Sequence, residues 1–133
     1  VVFALYTFIG NLPQNEKAAN QPQEQKMLST QTSTEGAVTV KATPKTLASG
    51  SQAVFEIAFN THSVELNYDV AKIARLTDDT GNTYQPLSWT GEKGGHHAEG
   101  VLTFPDIAES AKEVTLIIPD IDNKDRIFNW NLK

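Results

Sequence analysis

The feature that most constrains this chain is a strict alternation of apolar and polar residues in two neighbouring stretches. In AVTVKAT, residues 37–43, Val38, Val40 and Ala42 fall on one side and Thr39 and Lys41 on the other. In QAVFEIAFN, residues 52–60, Ala53, Phe55, Ile57 and Phe59 share a side. A period of two belongs to strands with one buried face, not to helices. Pro44 and the ASGS sequence at 48–51 separate the two stretches as a turn.

The same pattern continues to the end of the chain. VELNYDV (64–70) starts another extended run, and AKIARLTDD (71–79) is expected as a strand, although Ala71–Leu76 has some helical character. DDTGN (78–82) is a tight turn in which Gly81 and Asn82 adopt positive φ at low cost. TYQPLSW (83–89) is the return strand, with Pro86 marking an edge or a bulge. GVLTFP, EVTLIIP and RIFNWNL follow, and PDIAESAKE (105–113) holds at most one short helical turn. About seven short strands with no long amphipathic helix predict an all-β fold, an antiparallel β-sandwich of immunoglobulin-like or cupredoxin-like type. The expected core is Phe55, Phe59, Trp89, Leu102, Phe104, Leu116, Ile118, Phe128 and Trp130. Each large side chain contributes about 1.5–3 kcal/mol on burial.

This domain is expected to occupy residues 36–133, because the composition before it is different. Residues 11–35, NLPQNEKAANQPQEQKMLSTQTSTE, are polar apart from Leu12, Met27, Leu28 and a few small residues. Such a segment buries too little surface to offset its ordering entropy, and it reads as a flexible linker. Residues 1–10, VVFALYTFIG, are apolar apart from Thr7 and Gly10. Ten residues are too few to span a bilayer, which takes about 20. The segment reads as the remnant of a membrane anchor, or else as an assembly segment that docks on a neighbouring subunit as a strand. A half-buried strand would alternate, and this one is apolar on both faces, which favours the anchor. Apolar stub, polar linker and folded domain form the layout of a membrane-anchored module outside the cytoplasm, in the periplasm or at the cell surface.

Several chemistries are excluded. The chain has no cysteine, so it offers no disulfide, no zinc ribbon and no thiol nucleophile. Acidic residues outnumber basic ones 16 to 11, and no basic cluster marks a nucleic-acid face. Ser49, Ser51 and Ser88 lie in no nucleophile motif, and no glycine-rich phosphate loop opens a helix. DIDNKD (120–125) begins like a calcium loop, but Lys124 stands where the third ligand belongs and the sixth position lacks glycine. It reads as a turn. The chain is not expected to be an enzyme.

The remaining candidate chemistry lies in the histidines. His96 and His97 follow Gly94-Gly95 in GEKGGHHAEGVLTF, and His62 lies in FNTHSVEL. Loops meeting at one end of a sandwich would bring the three rings together, with Glu99 sharing the face of His97. Consecutive strand residues point to opposite faces, so both His96 and His97 reach one ion only if the glycine pair bends the backbone. Without sulfur ligands, imidazoles and a carboxylate suit Cu(II), Zn(II) or Ni(II) and exclude a blue-copper centre. The competing reading is a loop scaffold, with His62 capping a turn and His97 stacking on Trp89. A third is a pH-sensitive contact.

THSVEL, LTDDTGNTYQPLSW, GGHHAEGVLTFP and RIFNWNL together resemble a group of small exported or membrane-anchored prokaryotic domains. That group carries Thr-His-Ser/Thr, a D-x-G-x-x-Tyr hairpin, and Gly-Gly-His-His before a Gly-aliphatic-Leu-x-Phe strand. The resemblance spans Val38–Leu132. It implies a β-sandwich outside the cytoplasm and no particular activity. The functional expectation is a non-enzymatic, membrane-tethered binding domain that holds a divalent metal, Cu(II) or Zn(II), through His62, His96, His97 and Glu99. The alternative is a structural subunit of an extracellular filament, or an accessory subunit of a membrane complex.

Overall fold

The computed structural model describes residues 28–132. Segment 1–10 and most of the polar stretch after it lie outside the described residues. In chain order the elements are β1 (Gln31–Glu35), β2 (Val38–Thr46), β3 (Gln52–Thr61), α1 (Val70–Ile73), β4 (Arg75–Asp78), β5 (Thr83–Tyr84), β6 (Ser88–Trp89), β7 (His97–Asp106), β8 (Glu113–Ile121) and β9 (Lys124–Asn131). The strands form two antiparallel sheets, ordered β1-β2-β3-β7-β6 and β5-β4-β8-β9. This is the all-β sandwich that the alternation predicts.

The inward phase of each long strand supplies the core. Val38, Val40 and Ala42 of β2, Phe55, Ile57 and Phe59 of β3, and Leu102 and Phe104 of β7 line one sheet. Val114, Leu116 and Ile118 of β8 with Phe128 and Trp130 of β9 line the other. Phe55 packs edge-on to Phe104 and lies 5.1 Å, centroid to centroid, from Trp130. Of the nine core residues expected, eight are buried; Trp89 packs against the core from its margin and remains partly exposed.

Three expectations need correction. First, Val64–Asp69 is a loop and Val70–Ile73 a single helical turn, closed by Lys72 and Ile73 donating to the Asp69 carbonyl. Residues i and i+4 share a helix face as they share a strand face, so this turn buries both Val70 and Ala74 beside Leu66 just as an extended run would. Second, TYQPLSW is not one strand. Its first half joins β4 in one sheet and its second half joins β7 in the other, with Gln85-Pro86-Leu87 crossing between them. Residues 105–113 contain one hydrogen-bonded turn (Ala111 N–H to Ala108 C=O, 3.1 Å), within what the sequence allows.

Third, the folded domain starts before residue 36. Gln31–Glu35, assigned above to the linker, pairs antiparallel with β2 along its whole length. This strand has no bulky apolar residue, so nothing in its composition signals burial. Arg126 holds it in place. That side chain shares the inward phase of β9 with Phe128 and Trp130, and it is fully buried. Its guanidinium donates to the carbonyls of Ser33 (3.1 Å), Val38 (2.8 Å), Glu35 (2.7 Å) and Ile121 (2.8 Å), and its Nε to that of Lys124 (3.3 Å). A buried charge is tolerated when its donors are all satisfied, here by carbonyl dipoles and no carboxylate.

Candidate functional site

Strand direction defines two ends of the sandwich. One end gathers the β1–β2 turn, the loop 62–69, α1, the loop 90–96 and the β8–β9 turn. The other end gathers the β2–β3, β4–β5 and β7–β8 connections. All three histidines fall at or beside the first end.

The glycine loop there is held by its neighbour. Gly94 and Gly95 have φ of 97° and 76°, as the sequence requires of an irregular backbone. Gly94 N–H donates to the Leu66 carbonyl (2.6 Å), Leu66 N–H donates to the Gly95 carbonyl (2.9 Å), and Gly95 N–H donates to the Glu65 carboxylate. Lys93 reaches Asp69 at 3.9 Å. The positive φ angles therefore dock one loop on the other and do not converge two imidazoles. Trp89 lies over the same region. Its indole occupies the space where Gly91 lacks a Cβ, the Gly91 backbone in turn fills that space at Gly100, and the ring packs edge-on to Phe59 at 6.2 Å.

The four expected ligands separate. β7 begins at His97, opposite Asn60, and continues with Glu99 opposite Ala58. His97 and Glu99 thus share the outer face of the five-stranded sheet, where Glu99 borders a shallow polar depression with Lys41, Thr43 and Glu56. The His97 ring is engaged by Asn60, Nδ1 to Oδ1 at 2.5 Å. Trp89 is in register with the buried Leu102 on the inner face, so His97 does not stack on it. His96, one residue earlier, has the opposite phase, and its carbonyl accepts the Thr61 N–H (3.0 Å). His62 lies exposed at the bend after β3. Among the described residues no group of three or more His, Asp or Glu side chains is placed to hold a metal ion. The expected metal site of His62, His96, His97 and Glu99 is therefore not assembled, because the pleat separates the adjacent pair and the glycine turn is used elsewhere. Among these residues Asn60 and Glu65 shape the site most directly, and neither stands out in the sequence.

The other motifs prove to be fasteners. In THSVEL, the Thr61 hydroxyl donates to the Ala37 carbonyl (2.6 Å) and accepts from the amides of Ser63 and Val64, which forms the turn. In the D-x-G-x-x-Tyr hairpin at the opposite end, the Asp79 carboxylate accepts from the amides of Lys112 and Glu113 (2.8 and 3.2 Å). Asp78 accepts from Thr80, Asn82 and the Tyr84 hydroxyl (2.6 Å), and that hydroxyl in turn accepts the Ala108 amide (2.9 Å). Desolvation opposes ionisation of Asp78, but the hydrogen bonds from Tyr84, Asn82 and Thr80 outweigh it and hold the carboxyl well below the usual carboxylate range. Desolvation and the Asp78 charge push the Tyr84 hydroxyl up. DIDNKD is a two-residue hairpin with Asp122 and Asn123 both at positive φ (55° and 64°). Its Asp122 carboxylate accepts the Ala37 amide (2.7 Å), so its oxygen serves the β1–β2 turn.

No family model matches the chain, and no curated protein matches it. Among solved structures, a match is a secreted protein from Mycobacterium tuberculosis, MPT63, with 16% identity and a TM-score of 0.46, covering 79% of this chain and 93% of that one.

Proposed function

We propose that this protein is a non-enzymatic binding domain, tethered outside the cytoplasm, that presents the loops 62–69 and 90–96 to a partner. The observation that carries this reading is the polarity of β1. The chain runs through Gln31–Glu35 toward the loop end, so it enters β1 at the end opposite those loops. A tether attached there holds the exposed side chains of His62, Glu65, Glu92, Lys93 and His96 at the distal end. The apolar segment 1–10 and the resemblance to exported domains support the location. The absence of enzymatic chemistry is supported by how the ionisable groups are used. Asp78, Asp79, Asp122, Asp125 and Arg126 are each committed to fastening the backbone or a turn. Among the described residues no helix is long and apolar enough to cross a membrane, so in this reading attachment falls to the segment before them.

Photo-crosslinking in the cells that make the protein tests this reading. A photoreactive residue replacing His96 should capture a specific partner from the extracytoplasmic side, and one replacing Ser110 at the opposite end should not. Adducts from Ser110 alone, or from neither position, would contradict it.

A further inference from the structure

A narrow cleft opens between the two loops of the distal end. Its floor is apolar, made by Phe59 of β3, Leu66 of the loop 62–69 and Ala98 of β7, all buried. Its walls are Trp89 of β6 and Tyr68, both partly exposed, and the exposed Glu92 stands at its rim. The walls are held in place. The Tyr68 hydroxyl accepts the Asp122 amide (3.1 Å), and its ring lies 6.4 Å from that of Phe59, centroid to centroid. Trp89 packs edge-on to Phe59, with Gly91 against its indole. The free volume of the cleft is about 10 Å³, room for one group the size of a water molecule. A methylene of an unbranched side chain fits that space, whereas a branched or aromatic side chain does not.

The charges around the cleft select what else the occupant carries. Glu65 accepts the Gly95 amide, and Asp69 lies 3.8 Å from Lys72 and 3.9 Å from Lys93. These two lysines of the chain are thus paired with Asp69, while the Glu92 carboxylate has no hydrogen bond or ion pair among the described residues. Aromatic faces attract cations, tryptophan most strongly, and an unpaired carboxylate adds to that attraction. Long basic side chains join an unbranched apolar stem to a charged head, and they lay the stem on apolar surface while the head stays at its edge. We propose, on the reading that the loops 62–69 and 90–96 face a partner, that this cleft receives a basic side chain of a partner protein. Its methylene stem lies over the floor, and its charged head sits against Trp89 and Glu92 at the rim.

The test titrates the full chain with the blocked tripeptide Gly-Lys-Gly and with its norleucine counterpart, which keeps the stem and lacks the charge. The indole N–H signals in NMR spectra are the readout. Trp130 is the internal control, since it is buried and its indole donates to the Ser29 carbonyl (2.8 Å). The lysine peptide should move the Trp89 signal saturably, with a Kd on the order of 1 mM for a single side chain, and leave Trp130 in place. The norleucine peptide should bind about tenfold more weakly. Glu92→Gln, at an exposed position with no partner to lose, should keep the fold and weaken the lysine peptide about threefold. A Trp89 signal that does not move, norleucine binding as tightly as lysine, or Glu92→Gln binding as tightly as wild type would each overturn the proposal. Capture of a partner at His96 is read separately in cells, so a captured partner with no lysine-peptide binding would sink this proposal alone.

Discussion

The two long sides of the sandwich are closed by different means. On the β5–β6 side a single segment crosses from one sheet to the other, so the backbone itself joins the layers between Tyr84 and Ser88. On the β1–β9 side no backbone connection crosses among the described residues. Side chains join the layers instead, with Arg126 reaching the carbonyls of β1 and Gln31 reaching the backbone of β9. Closure by backbone depends on turn geometry, whereas closure by side chains concentrates the load on single residues. Point substitutions should therefore hurt the second side more.

Arg126→Ala gives the largest expected effect. It leaves the carbonyls of Ser33, Val38, Glu35 and Ile121 without these donors and opens a cavity, which should cost about 4 kcal/mol in denaturant unfolding. Arg126→Lys should recover little, because an ammonium has three donors and cannot span the same fork. A loss below that of the crossing-side variants would break the comparison. On the crossing side, Gly100→Ala places a Cβ against the backbone of Gly91 and under the Trp89 ring. Neither the backbone nor the indole yields easily, and a loss of about 2 kcal/mol is expected. Tyr84→Phe removes one bond donated to Asp78 and one accepted from Ala108, for about 1–2 kcal/mol.

The same clasp has a pH signature. The folded-state pKa of Asp78 lies below its ordinary value near 4, so its stabilisation is full above that pH and drains as the pH falls toward the folded value. Asp79 shifts in the same direction, held down by the Lys112 amide. The stability gap between wild type and Asp78→Asn should be constant from neutral pH to about pH 5 and narrow below it, as thermal melts would register. A gap that widens on acidification would contradict the clasp. Smallest of all, His62→Ala and His96→Ala should each change stability by less than about 0.5 kcal/mol, since both side chains are exposed. A larger loss would mean that these rings fasten the loops.

The sequence speaks clearly where apolar periodicity speaks. β2, β3, β7, β8 and β9 follow from alternation, and the turn at Gly81 from its chemistry. Ala71–Leu76 misleads because Val70 and Ala74 reach the core equally well as i and i+4 of one helical turn, and short apolar runs do not fix their period. The crossing at Gln85–Leu87 is half visible, since Pro86 marks an edge but not a change of sheet. β1 is invisible for a physical reason: QTSTE is stabilised by hydrogen bonds to β2 and to Arg126, and hydropathy does not register them. One signal was present. Arg126 stands in the inward phase with Phe128 and Trp130, and a charge in that phase has to find buried acceptors. For the histidines, the pleat that separates His96 from His97 was legible, while the docking of Gly94-Gly95 on Leu66 and Glu65 depends on a contact thirty residues away that no local pattern encodes.

The claim on which the rest depends is that Gln31–Glu35 is an integral strand, locked to β9. Residue-resolved hydrogen exchange across residues 28–46 of the full chain tests it directly. The amides of Ser33 and Glu35, which face β2, should be protected to within about tenfold of those in β2, and Arg126→Lys should release them first. Protection that begins only at Val38 would contradict the account.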